Sequence, residues 1–155
     1  MPSLELVSLD VHDLRSQAWA EKVQQGLMQF NQSKHGFDFA PLCVFAIANG
    51  EFLGGLIGTT GWSWLNIDML FVEERARRQG VAKALLEMAE YKASMLGCIG
   101  AYVDTFDFQA PLFYETQGFR CFGVLDDMPP GRRRFYLKKQ FEQFEKDRQE
   151  PSDAA

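Results

Sequence analysis

Two periods of apolar residues alternate along this chain. Strand-like runs, alternating or nearly continuous, occur at LELVSL (4–9), PLCVFAIANG (41–50), EFLGGLIGTTGWSWL (51–65), LNIDMLFV (65–72), CIGAYVDTF (98–106), RCFGVL (120–125) and RFYLKKQF (134–141). Helical spacing fills three of the gaps. Asp10 or Asp13 caps a first helix through roughly Gln32, with Leu14, Ala18, Val23, Leu27, Met28 and Phe30 near one face. From Gly80 the residues Val81, Ala84, Leu85, Met88, Ala89 and Met95 share a face, Lys83, Glu87, Glu90 and Lys92 lie mostly elsewhere, and Gly97 ends the helix. A short helix over QAPLFYETQGF (109–119) stops at Gly118. Asn49-Gly50 marks a hairpin, DDMPPGR (126–132) a Pro/Gly turn, and SKHGFDF (33–39) a loop. The expected order is β-α-β-β-β-α-β-α-β-β, an α+β or mixed α/β fold with helices covering the faces of one sheet.

Length narrows this to a single domain over 1–141, followed by a polar tail over 142–155 that is expected to fray. The net charge is −5, and residues 140–155 hold five acids against two bases, which leaves the body near −2. A nucleic-acid binder needs a broad basic surface, so no nucleic-acid partner is expected. No apolar stretch is long enough to span a bilayer, so no membrane partner is expected. The start, MPSLELVSLD, lacks a basic region followed by a sustained apolar one, so no secretory signal is read and the expected location is cytoplasmic. Cys43, Cys98 and Cys121 each lie in an apolar run and are expected as buried free thiols. His12 and His35 are far apart and out of ligand spacing, so no metal is expected.

One stretch changes the picture. Residues 72–86, VEERARRQGVAKALL, place Arg75, Arg77, Arg78 and Gly80 between a strand and a helix in an acidic protein. A helix start exposes backbone N–H groups and carries about half a positive charge. A glycine there lets an anion approach, Ala82 keeps the next position small, and Arg77, Arg78 and Lys83 add positive charge. On spacing alone the stretch reads equally as a solvated helix start. A P-loop is excluded, because Val81-Ala82-Lys83-Ala84 follows Gly80, and no G-x-G-x-x-G follows a strand.

The strand 65–72, the turn Arg77-Arg78-Gln79-Gly80-Val81-Ala82 and the later Ala110, Tyr114 and Gly118-Phe119 resemble the GNAT superfamily of acyl-CoA N-acyltransferases, in the form of a small bacterial-type acetyltransferase. The phosphate loop of that family reads Q/R-x-x-G-x-G/A, which Arg77, Gly80 and Ala82 match. The resemblance covers roughly residues 41–140. It implies a single mixed, mostly antiparallel sheet, splayed between its central strands, with helices on both faces. It implies acetyl-CoA as cosubstrate, with pantetheine pairing to the backbone of Leu70, Phe71 and Val72 and the pyrophosphate on the N–H groups of Arg77, Arg78, Gln79, Gly80, Val81, Ala82 and Lys83. Arg78 stands where the family often has glycine. Asp107 stands where many members have an asparagine that contacts the cofactor arm.

The chemistry so implied is direct transfer to a primary amine, from a small molecule or a peptide, with Tyr114 giving a proton to the leaving thiolate. A phenol's ordinary pKa of about 10 lies near a thiol's ~8.5. The plain alternative for Tyr114 is a packed core tyrosine. Asp68 is the candidate base, with a hydrogen-bonded sheet residue as its alternative, and Asp104 and Asp107 lie nearby in sequence. The backbone N–H of Val72 is the expected carbonyl polariser. Trp62, Trp64, Phe37, Phe39, Phe106, Phe108 and Phe113 are expected near the cleft, as core or as acceptor wall, and Arg132-Arg133-Arg134 as a solvated hairpin face. The rival function is a catalytically silent acyl-CoA binding or sensing module on the same fold. Exposed strand edges at the end of the sheet leave room for a homodimer.

Overall fold

A computed structural model describes residues 4–142, which divide into two compact units, the first ending at Phe37 and the second beginning at Asp38. The expected tail, beyond residue 142, lies outside the described residues. The first unit is built on α1 (Leu14–His35), opened by Asp13, whose side chain accepts from the Arg15 N–H, and closed by Gly36. No residue of α1 is buried, so its apolar positions Leu14, Val23, Leu27 and Phe30 stay exposed. The strand expected over 4–9 is absent. Leu4 and Leu6 are exposed and the segment joins no ladder, and without a ladder partner an apolar run this short has nothing to hold it extended.

The second unit is a six-stranded sheet in the order β1-β2-β3-β4-β6-β5, from β1 (Ala40–Ala48), β2 (Glu51–Gly61), β3 (Trp64–Val72), β4 (Gly100–Phe106), β5 (Arg120–Asp126) and β6 (Arg133–Gln140). All pairs are antiparallel except β3 with β4, so the class is mixed α/β with a mostly antiparallel open sheet. The β3–β4 crossover carries α2 (Val81–Met95), and α3 (Pro111–Thr116) joins β4 to β5. No helix among the described residues is long and apolar enough to cross a membrane.

The core lies on the sheet face that α2 covers. Leu42, Leu56, Leu65, Ile67, Ala101, Val103 and Leu137 meet Leu85, Leu86, Ala89 and Ala93. The buried stripe of α2 therefore includes Leu86 and Ala93, while Met88 and Met95, expected inside, are exposed. At about 100° per residue the four buried positions span an arc of about 100°, and Met88 and Met95 fall about 60° or more outside it. Gly97, at φ +88°, ends α2 in a Schellman motif, with Cys98 N–H on the Ala93 carbonyl at 2.9 Å and Gly97 N–H on Ser94 at 3.0 Å. Cys98 is buried, and burial pushes its thiol up. Cys43 and Cys121 are exposed, contrary to expectation, because a strand buries alternate residues and Cys43 follows buried Leu42.

Candidate active site

The central feature is a seam that opens. β3 and β4 pair as a parallel ladder from Trp64/Gly100 to Ile67/Val103 and no further, although β3 runs on to Val72 and β4 to Phe106. The parting coincides with a β-bulge. Against β2, Gly58 faces Ile67 and Ile57 faces Met69, so Asp68 is the extra residue. Bulges bend and twist the strand that carries them. Beyond Asp68, the Glu73 N–H turns to β2, donating to the Leu53 carbonyl at 2.8 Å. Alternation along an extended chain then directs the N–H groups of Leu70 and Val72 to the opposite, open edge. The edge of β3 at Leu70 and Val72 is therefore unpaired, whereas the Phe71 N–H faces β2.

At the far end of that edge sits the basic turn. Arg77 Nε donates to the Val72 carbonyl at 3.0 Å, and the Gln79 side-chain amide donates to the Arg75 carbonyl at 2.9 Å. These bonds fold the turn back onto the strand. Gly80 precedes α2 at φ +81°, and no side chain caps the helix, so the N–H groups of Val81, Ala82 and Lys83 have no capping partner. A Cβ built on Gly80 meets nothing within 4 Å, so the space beside the helix start is open there. Arg78 takes φ +61°, a left-handed conformation in which a non-glycine residue is strained. Arg78 has no carboxylate partner among the described residues, whereas Arg75 pairs with Glu51 at 2.8 Å and Lys83 approaches Glu87 at 3.7 Å. The donor set fits an anion such as a pyrophosphate: oriented N–H groups, a free guanidinium and room.

Tyr114 lies in α3, 5% exposed, its ring edge-on to Phe113 and Phe119 at centroid distances of 5.1 and 5.5 Å. Burial, aided by the charge of Asp104, pushes its phenol up to about 12, so it stays neutral at ordinary pH. No protein group among the described residues hydrogen-bonds its hydroxyl, which remains able to donate.

The three candidate carboxylates part company. Asp68 is exposed at the bulge and accepts from Thr59 Oγ1 at 2.8 Å and Asn66 Nδ2 at 2.6 Å. Asp104 is held by Arg134, whose Nε donates at 2.8 Å. Asp107 has Arg132 Nε 3.0 Å from Oδ1, off hydrogen-bonding direction, so that buried oxygen stays unsatisfied. The arginine run is a solvated face at Arg132 and Arg133, which are exposed, but not at Arg134, which is half-buried. Arg132, Arg133 and Arg134 each meet a carboxylate, and Arg134 also stacks over Phe106 and Tyr136 at 5.4 Å. The aromatics do not form one wall either. Phe39 meets Trp62, Phe106 stacks on Phe108, Phe113 meets Tyr114, and Trp64 meets Tyr102. Thr59, Asn66 and Tyr102 escaped the sequence reading; one polar residue in each of three adjacent strands becomes a cluster only through register.

Comparisons with known proteins identify the family and the fold. The family model described as the acetyltransferase (GNAT) family matches residues 8–119. The chain is 42% identical over 105 residues to a blasticidin-S acetyltransferase of Streptomyces morookaense, covering 64% of this chain and 77% of that one. It is 37% identical over 141 residues to an acetyltransferase of Agrobacterium fabrum, covering 89% of this chain and all of the other. Among solved structures, an acetyltransferase from Bacillus cereus superposes with a TM-score of 0.79 at 27% identity, covering 88% of this chain and 98% of its own. Two further structures, under 25% identical and so similar in fold alone, were solved with acetyl-coenzyme A and coenzyme A.

Proposed function

The chain belongs to the acetyltransferase (GNAT) family, and from that premise we propose that it is an acetyl-CoA-dependent N-acetyltransferase acting on the primary amine of a small molecule. The observation that carries this reading is the coincidence of three features at one place: the seam parts at Asp68, the open edge of β3 follows, and an uncapped helix start with free space lies at its end. An extended acyl carrier needs the edge, and its pyrophosphate needs the helix start. Acetyl-CoA bound there would supply the activated acyl group. The name of the Streptomyces relative, a blasticidin-S acetyltransferase, supports a small-molecule acceptor.

Each residue then has a task. The turn Arg77–Lys83 holds the pyrophosphate, with Arg78 as its free cation. The N–H of Val72 polarises the thioester carbonyl. Asp68 takes the proton that the acceptor's ammonium must lose before nitrogen can attack. Tyr114 protonates sulfur as the C–S bond breaks. A phenol near 12 is a weaker acid than a thiol near ~8.5, so its proton moves only as charge builds on sulfur.

The test is a thermal-shift panel with acetyl-CoA, CoA, ATP and NAD. At 100 times its dissociation constant a ligand adds about 2.7 kcal/mol, a shift of several degrees in a domain of this size. Acetyl-CoA and CoA should stabilise, and ATP and NAD should not. A flat response to both CoA species would remove the reading.

A further inference from the structure

The sheet face turned away from α2 carries a second constellation, which runs from Asp68, where the seam parts, down over its closed half. Register sets Thr59 opposite Asn66, Asn66 opposite Tyr102, and Tyr102 opposite Lys138, a row across four strands. Asp68 stands above this row and Trp64 below it. The two donors that fix the Asp68 carboxylate, Thr59 and Asn66, are both neutral. Among the described residues no cation pairs with it, while Asp104, Asp107 and Asp126 all meet arginines. A rigidly held carboxylate with uncompensated charge is half of an ion pair.

The other half of the site is apolar. The Trp64 indole lies over Gly100, where a Cβ would come within 2.6 Å of the ring, and it meets Tyr102 edge-on at 6.3 Å. With Phe122 and Lys138, these rings line a shallow, open cavity of about 290 Å³, just under the usual range for small-molecule sites. Burial and the nearby Asp68 charge hold the Tyr102 phenol above its ordinary value, so it stays neutral.

We propose that this cavity seats the acceptor, a small monocationic amine carried on a planar, largely apolar ring, with Asp68 receiving the ammonium and the Trp64–Tyr102–Phe122 wall receiving the ring. The inference rests on the parted seam being the transfer site. One unpaired carboxylate, with Lys138 across the row, suits one positive charge and opposes a second. A peptide amino terminus offers the charge without the ring. The protons balance. The ammonium gives one to Asp68, which releases it to water. N–C bond formation accompanies C–S cleavage, Tyr114 protonates sulfur, and the new amide nitrogen returns that proton to Tyr114.

The experiment measures thiol release at saturating acetyl-CoA for 2-phenylethylamine, tryptamine, n-butylamine, 1,4-diaminobutane and trialanine, with acetyl-CoA binding titrated separately. The ring amines should exceed the other three in kcat/KM by about tenfold or more, the worth of one good aromatic contact. Trp64→Ala should raise KM for the ring amines about tenfold and barely change it for n-butylamine, and Trp64→Phe should restore most of the difference. Asp68→Asn should raise KM for every amine. Equal or better turnover of n-butylamine or trialanine, an unchanged KM in Trp64→Ala, or no turnover of any amine by protein that binds acetyl-CoA would each overturn the acceptor class alone. Failure to bind acetyl-CoA would instead overturn the transfer reading beneath it.

Discussion

The two halves of the β3–β4 seam are made from the same two strands and do opposite things. In the lower half, Leu65, Ile67, Ala101 and Val103 are all buried and the ladder is continuous. In the upper half the strands carry on without pairing, and Met69 and Phe71 are 62% and 52% exposed. One inserted residue makes the difference. With strict alternation after Ile67, Met69 and Phe71 would face the core. With Asp68 extra, Leu70 and Val72 pack there instead. The bulge turns a closed sheet into a cleft without a loop or hinge, so the cleft is held open by the same core that stabilises the fold.

If the open half exists to bind acetyl-CoA and the core face of the closed half for stability, substitutions should separate them. Gly80→Glu makes the largest difference. It puts a carboxylate in the open space beside the α2 start, at a φ of +81° that a side chain tolerates poorly. Acetyl-CoA affinity should fall about a thousandfold by calorimetric titration, roughly 4 kcal/mol. Retained affinity would mean the anion sits elsewhere. Leu65→Ala comes next. Leu65 is 0% exposed, so its loss should cost about 3 kcal/mol in denaturant unfolding while leaving acetyl-CoA affinity intact where the protein is folded. A cost below ~1 kcal/mol would mean that the lower seam is not the closed part.

The contrast also explains what could be read in advance. The strands from residue 40 onward, α2 with its Gly97 stop and the Gly80 turn were legible, because period and turn chemistry are local. The bulge was not. Ile67-Asp68-Met69-Leu70-Phe71-Val72 is apolar at both alternations after the aspartate, so neither register stands out. Asp68 could be named as a candidate but not placed, since its partners Thr59 and Asn66 meet it only through strand pairing. Within the arginine run only Arg134 departs from a solvated face, and for the same reason: it reaches Asp104 across 30 residues of sequence. Over 4–9 the apolar pattern was clear, but a strand also needs a neighbour.

Tyr114→Phe should have a smaller effect than the core truncation, and a different kind. Removing the hydroxyl should lower kcat about a hundredfold, in the range for one general acid, and leave acetyl-CoA affinity within about twofold. The pH profile carries the sign. Because burial holds the phenol up at about 12, raising the pH from 7 to 11 deprotonates the acceptor amine and leaves the acid in place. The rate should therefore rise and level off, with no fall due to Tyr114 below about 12. A descending limb near 10 in the wild type, absent in the phenylalanine variant, would show that the phenol is not shifted in the working enzyme.

The smallest effect is the sharpest test of the seam itself. Phe71 is a large aromatic in the middle of an apolar strand, and by composition alone its truncation should cost as much as that of any core phenylalanine, about 3–5 kcal/mol. Its side chain is half exposed and belongs to the open half, so Phe71→Ala should cost about 1 kcal/mol or less in denaturant unfolding. A loss comparable to Leu65→Ala would require Phe71 to be buried in solution. The strand would then keep its alternation through residue 68 with no bulge, and β3 and β4 would stay closed to Val72. A small loss, beside the large one at Leu65, requires the alternation to flip between the two residues, and a flip within one strand requires the extra residue at Asp68.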